Sequence, residues 1–84
     1  MTAKEMFEEL GLTERRVNDT ISYFNHGTGG HTEYWYCEIC FNLTINEYYL
    51  VCNVTGGRFF VDVKLHKAIQ KQIEELGWLE DDRL

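Results

Sequence analysis

Thiol and imidazole side chains cluster in the middle of the chain, at Cys37, Cys40, Cys52, His26 and His31, and these are the groups that hold zinc. Cys37-Glu38-Ile39-Cys40 has C-x-x-C spacing, so a zinc-stabilised binding module ligated by Cys37, Cys40, Cys52 and His31 is one reading. Its setting argues against it. Zinc knuckles place both cysteines on a turn so that the thiolates converge, whereas positions i and i+3 of a strand point to opposite faces. A thioredoxin-type redox pair fits less well, since it needs the first cysteine at a helix N-terminus. No metal and no cofactor are expected.

His26-Gly27-Thr28-Gly29-Gly30-His31-Thr32 could cradle an anion, which makes a small-ligand or nucleotide binder a further alternative. It lacks the Lys-Ser or Lys-Thr ending of a P-loop and opens no helix; a hairpin connection is the plainer reading. No Ser, His and acid set is suggested by spacing, and an enzyme is not expected. Glu8-Glu9 and Glu74-Glu75 sit where helices should end, beside the negative pole of the helix dipole, at a cost of about 0.3–1 kcal/mol each. A local rule broken twice suggests a basic protein partner at Glu74 and Glu75, against the simpler reading of a tolerated surface charge. Adjacent glutamates on a helix do not face each other and make a poor catalytic pair.

The elements that must carry these groups are read from capping signals and periodicity. Thr2-Ala3-Lys4-Glu5 has the form of a capping box, Ala3, Met6, Phe7 and Leu10 mark one helical face, and Gly11 stops the helix with Leu12 folding back on Phe7. Near the other end, Asp62 reads as an N-cap. Leu65, Ala68, Ile69, Gln72, Ile73 and Leu76 then follow the spacing of a buried helix face. Glu74-Glu75-Leu76-Gly77-Trp78 repeats the ending Glu8-Glu9-Leu10-Gly11-Leu12, with Trp78 covering Ile73.

Between the helices the period changes to two. Trp35, Cys37, Ile39 and Phe41 alternate with Tyr34, Tyr36, Glu38 and Cys40, and the first set should face the helices. Residues 47–54 and 58–63 read as a hairpin about Thr55-Gly56-Gly57, residues 42–46 as a turn, and residues 20–24 as a short first strand at an edge. Strands joined by short connections pair with their neighbours. The expected fold is therefore α+β: a short N-terminal helix, a three- to four-stranded antiparallel meander and a C-terminal helix, both helices on one face. The other face would carry Tyr34, Tyr36, Tyr49 and Val51, and a bare aromatic sheet face is commonly an interaction surface.

Bulk properties agree. The 84 residues suit a single domain, 1–84, with one core, and 44% hydrophobic with 26% charged residues is ordinary for a folded chain. A formal charge of -6 repels phosphate backbones and anionic lipid, so neither direct nucleic-acid binding nor membrane binding is expected. The first residues form no secretory signal and no apolar run could span a bilayer. With an odd number of cysteines, this suggests reduced thiols in a cytoplasmic protein. The sequons at Asn18, Asn42 and Asn53 are then chance matches.

Thr2-Ala3-Lys4-Glu5-Met6-Phe7-Glu8-Glu9-Leu10-Gly11 and the segment from Leu65-His66-Lys67-Ala68 to Glu74-Glu75-Leu76-Gly77-Trp78 resemble small phage and prophage-encoded proteins of Gram-positive bacteria, a group without a known function. The resemblance covers the two ends and, loosely, the strand-rich middle; residues 26–32 look private to this chain. It implies a shared fold and a phage setting, where small acidic proteins often block host enzymes or defence proteins. The function expected is thus a non-enzymatic protein-interaction module, including the form of an inhibitor, acting through Tyr34, Tyr36 and Tyr49 or through Glu74 and Glu75. Homodimerisation through the aromatic face is the other way to cover it.

Overall fold

The computed structural model describes residues 1–28, 34–52 and 61–81 and, within these, all side chains except those at 26–28, 34–36, 80 and 81. In chain order the elements are α1 (Ala3–Glu9), β1 (Thr13–Val17), β2 (Thr20–Thr28), β3 (Tyr34–Asn42), β4 (Glu47–Cys52) and α2 (Val63–Glu75), followed by a 3-10 turn over Trp78–Asp81. The sheet is an antiparallel meander in the order β1-β2-β3-β4. Both helices pack on one of its faces and touch each other.

The helix ends follow from local chemistry. Thr2 is extended, its Oγ1 accepts from the Glu5 N–H at 3.2 Å, and Glu5 Oε1 accepts from the Thr2 N–H at 2.8 Å. These bonds satisfy two of the amides that a helix start leaves open, and the one from Thr2 holds the Glu5 carboxyl below its usual pKa. At the other end Gly11 stands at φ 86. Its N–H donates to Glu8 O and the Leu12 N–H to Phe7 O, both at 3.0 Å, the paired bonds of a Schellman motif. A Cβ on Gly11 would meet nothing nearer than Asn25 Nδ2 at 3.7 Å, so the backbone angle, not space, selects glycine. In α2, Asp62 Oδ1 accepts from the Leu65 N–H at 2.8 Å, and Gly77 repeats the left-handed ending at φ 73.

Three strand readings are corrected. Residues 13–17 form a strand that the sequence pattern did not reveal, so β2 is interior rather than an edge. β2 also runs on through His26, Gly27 and Thr28, which pair with Tyr36, Trp35 and Tyr34; these three belong to the ladder and not to a loop. The expected strand 58–63 does not extend to its end: Val61 and Asp62 lie outside any strand and Val63 opens α2. Its first residues, and the hairpin about Thr55-Gly56-Gly57, lie outside the described residues.

Two turns close the same end of the sheet. Asn18, at φ 54, turns the chain between β1 and β2, and Asn46, at φ 55, between β3 and β4; asparagine tolerates this region better than most residues. The turns are bonded to each other through Leu43 N–H to Asp19 O at 2.8 Å and the Thr44 hydroxyl to the Asp19 carboxylate.

The core sits between the sheet and the helices, and aromatic rings dominate it. Phe7 of α1 stacks on Tyr23 of β2 with ring centroids 3.9 Å apart and planes 12° apart, and Phe41 of β3 meets both rings edge-on. All three are fully buried. Phe41 also contacts Tyr48 and Trp78. Leu65, Ala68 and Ile69 of α2 complete the cluster with Ile21 and Ile39. The buried Tyr23 hydroxyl donates to Gln72 Oε1 at 2.6 Å and has Glu14 Oε2 at 3.3 Å beside it, the partners a buried polar group requires.

Replacing Tyr23 by Phe leaves the Gln72 amide buried without its donor, and should lower unfolding free energy in urea by about 1–3 kcal/mol. The double variant Y23F/Q72L, which removes both polar partners, should recover part of that loss. Phe7→Ala, which empties the stack, should cost about 3–5 kcal/mol.

Candidate functional site

The register sorts the sheet into two faces, because directly opposed residues share a side. Ile21 and Tyr23, opposite Phe41 and Ile39, lie towards the helices, as do Tyr48 and Leu50. Thr13, Arg15 and Val17 on β1, Thr20, Ser22 and Phe24 on β2, Glu38, Cys40 and Asn42 on β3, and Glu47, Tyr49 and Val51 on β4 lie on the other face. That outer face is the candidate site. Tyr49 is 52% exposed and Val51 41% on β4, and Val17 is 53% exposed on β1.

A cationic strap runs between these two apolar patches. The Arg15 guanidinium lies over the Phe24 ring at 4.8 Å and its Nη2 is 3.0 Å from Glu38 Oε2, so one side chain crosses from β1 over β2 to β3. Its contribution is modest, since Arg15 is half exposed and such pairs are worth roughly 0–1 kcal/mol. Its geometric effect is larger. The small residues Ser22 and Cys40, opposed in the register and flanked by Arg15, Phe24, Glu38 and Tyr49, are almost fully buried on a face with no helix over it. The alternation in β3 pointed to Cys40 on this face, but not to its burial at 5% exposure.

The residues expected to act are not gathered into one place. Tyr49 lies exposed on the outer face as read from the sequence. Tyr34 and Tyr36 are in register with Thr28 and His26, and their side chains lie outside the described ones. Glu74 is exposed. Glu75 is exposed as well and is also engaged within the molecule: its Oε2 accepts from the Ala3 N–H at 2.8 Å, so the last turn of α2 caps the first turn of α1. The dipole penalty at one helix end is thereby offset at the start of another.

The thiols divide in the way strand geometry requires. Cys37 and Cys52 face each other across β3 and β4 on the helix side, with Sγ atoms 2.9 Å apart, while Cys40 occupies the opposite face. The set Cys37, Cys40, Cys52 and His31 is not brought together: Cys40 points away and His31 is outside the described residues. Among the described residues no group of three metal-ligating side chains converges. Burial, then the bond to Cys52, pushes the Cys37 thiol up to about 11. The glycine-rich segment 29–33 is likewise outside the described residues, so the anion-cradle reading falls there.

A groove of about 240 Å³ lies between the helices, lined by Met1, Met6, Glu9, Leu10, Lys64 and Lys67. It is open and smaller than the roughly 300–1,000 Å³ of small-molecule pockets. Among the described residues no helix is long and apolar enough to cross a membrane.

Sequence reasoning missed the Arg15, Phe24 and Glu38 strap because β1 carries Glu14-Arg15-Arg16 where a strand pattern needs alternation. The available signal was Asn18-Asp19, a two-residue turn between Val17 and Thr20.

Glu75→Ala should cost about 1 kcal/mol in urea unfolding, the worth of a helix cap, whereas Glu74→Ala should change little. Alkaline titration gives a second check. Burial raises both the Cys37 thiol, from an ordinary 9.0, and the Tyr23 hydroxyl, from an ordinary 10.0, the latter also through the Glu14 charge. The unfolded chain therefore loses these protons first, and stability is fully present below pH 9.0 and falls as pH rises through about 11. The urea midpoint measured under reductant from neutral to alkaline pH should follow that course, with a shallower fall in Y23F. No family model, curated protein or solved structure matches this chain.

Proposed function

We propose that this protein is a non-enzymatic protein-interaction module whose outer sheet face, centred on Tyr49 and Val51, docks on a protein partner. The carrying observation is the exposure of these two large side chains together on β4, on a face that neither helix covers. Aromatic and aliphatic anchors of this kind supply most of the energy of protein interfaces. The Arg15 and Glu38 pair beside them would provide a polar rim that fixes orientation. A formal charge of -6 favours a basic partner. Resemblance of the two ends to phage and prophage proteins points to a host enzyme or defence protein as that partner.

The reading is tested by binding. A partner held by immobilised wild-type protein should be lost from a variant with alanine at Tyr34, Tyr36 and Tyr49 while the melting temperature stays unchanged. Loss of one central aromatic anchor should weaken binding roughly thirtyfold or more, equivalent to about 2 kcal/mol. Undiminished capture by the folded variant rejects the sheet-face reading. Sedimentation of the protein alone separates a foreign partner from a second copy: a dimer dispersed by Tyr49→Ala would make the partner this chain itself.

A further inference from the structure

Three cysteines leave one over if two pair, and the structure shows which two can. Cys37 and Cys52 are directly opposed residues of neighbouring antiparallel strands, a placement that sets Cα atoms about 4.5–5.5 Å apart, inside the span a disulfide bridges. Both side chains point to the same side and their sulfurs are 2.9 Å apart. Both are half-buried, whereas Cys40 is buried on the opposite face among Ser22 and its neighbours. Cys40 cannot reach either sulfur without turning its strand over, because a change of face requires a one-residue slip of the whole register. Other hairpin contacts hold that register: Ile39 with Leu50 and Phe41 with Tyr48 keep the intervening residues in the core.

We propose that Cys37 and Cys52 are a site of reversible covalent modification, closing to an intramolecular disulfide by exchange with a small-molecule disulfide such as oxidised glutathione. One cysteine thiolate attacks a sulfur of the oxidant, forming a mixed disulfide and expelling one glutathione thiolate. The second cysteine thiolate then attacks the protein sulfur of that mixed disulfide, forming the Cys37–Cys52 bond and expelling the second glutathione. Two protein thiols are oxidised, one disulfide is reduced, and the two protons pass to the two glutathione thiolates. Burial leaves Cys37 little thiolate at neutral pH, so the exchange is slow there and speeds as rising pH supplies thiolate. The bond closes the loop formed by β3, its turn and β4, and fixes the end of the strand that carries Tyr49 and Val51. It requires no partner protein and stands whether or not that face docks one.

The test is oxidation of the native protein in glutathione buffers of increasing oxidised fraction, followed by blocking of free thiols and cleavage after glutamate. Glu38 and Glu47 separate the three cysteines into different peptides. The expected product is a monomer in which the Cys37 peptide is joined to the Cys52 peptide and Cys40 is alkylated. At equilibrium with the buffer it should be favoured roughly tenfold or more over the same pair in urea, where proximity is lost, and it should melt about 10 °C higher than the reduced protein. Cys40→Ser should leave the cross-link intact, and Cys52→Ser should abolish it. A native disulfide that includes Cys40, cross-links only between molecules, or a cross-link no more favoured folded than unfolded would each overturn the proposal.

Discussion

The fold depends on one buried contact set: the Phe7 ring lying flat on Tyr23, with the Tyr23 hydroxyl carried through to Gln72. Neither α1, at seven residues, nor a hairpin is stable alone in water. The stack joins α1 to the second strand, and the hydroxyl joins that strand to α2. Apolar burial provides the driving force, and the Tyr23 to Gln72 bond within it favours one arrangement, because a misplaced α2 would leave the Gln72 amide buried without its donor. Rings at positions 7, 23 and 41 thus make the sheet, the first helix and the last helix interdependent.

Local chemistry was legible in the sequence and distant compensation was not. Both helix starts and both glycine stops appear in the letters because a cap involves only residues within one turn. Gln72 even fell on the apolar face of α2 by spacing alone, though nothing nearby announced that a tyrosine 49 residues away would bond it. Strand β1 was hidden because it carries charge on both faces, Arg15 outward and Glu14 and Arg16 on the helix side, so it shows no alternation. Once it was hidden, β2 was misread as an edge. Gly27 looked like a loop residue, yet it pairs within the ladder opposite Trp35, since glycine weakens a strand without forbidding it.

Within the candidate site the same division holds. Alternation correctly separated Cys37 from Cys40 and put Tyr49 and Val51 on the exposed face, because a period of two is a property of the backbone. Register between strands is set by packing across the hairpin, so the meeting of Cys37 with Cys52 could not be read from their spacing. The acidic pair at the end of α2 appeared anomalous only while α2 was considered by itself. One of its carboxylates answers an open amide 72 residues away.

That last contact ties the two ends of the fold to each other. Sheet pairing joins neighbours in sequence, so each contact from β1 through β4 closes only a short loop. The bond from Glu75 to Ala3, by contrast, spans nearly the whole described chain and closes a loop of the highest sequence separation. A helix as short as α1 has little persistence until that capping carboxylate arrives. The two ends of the fold are therefore secured together, and a chain lacking α2 would lose both the cap on α1 and the apolar cover of Leu65, Ala68 and Ile69.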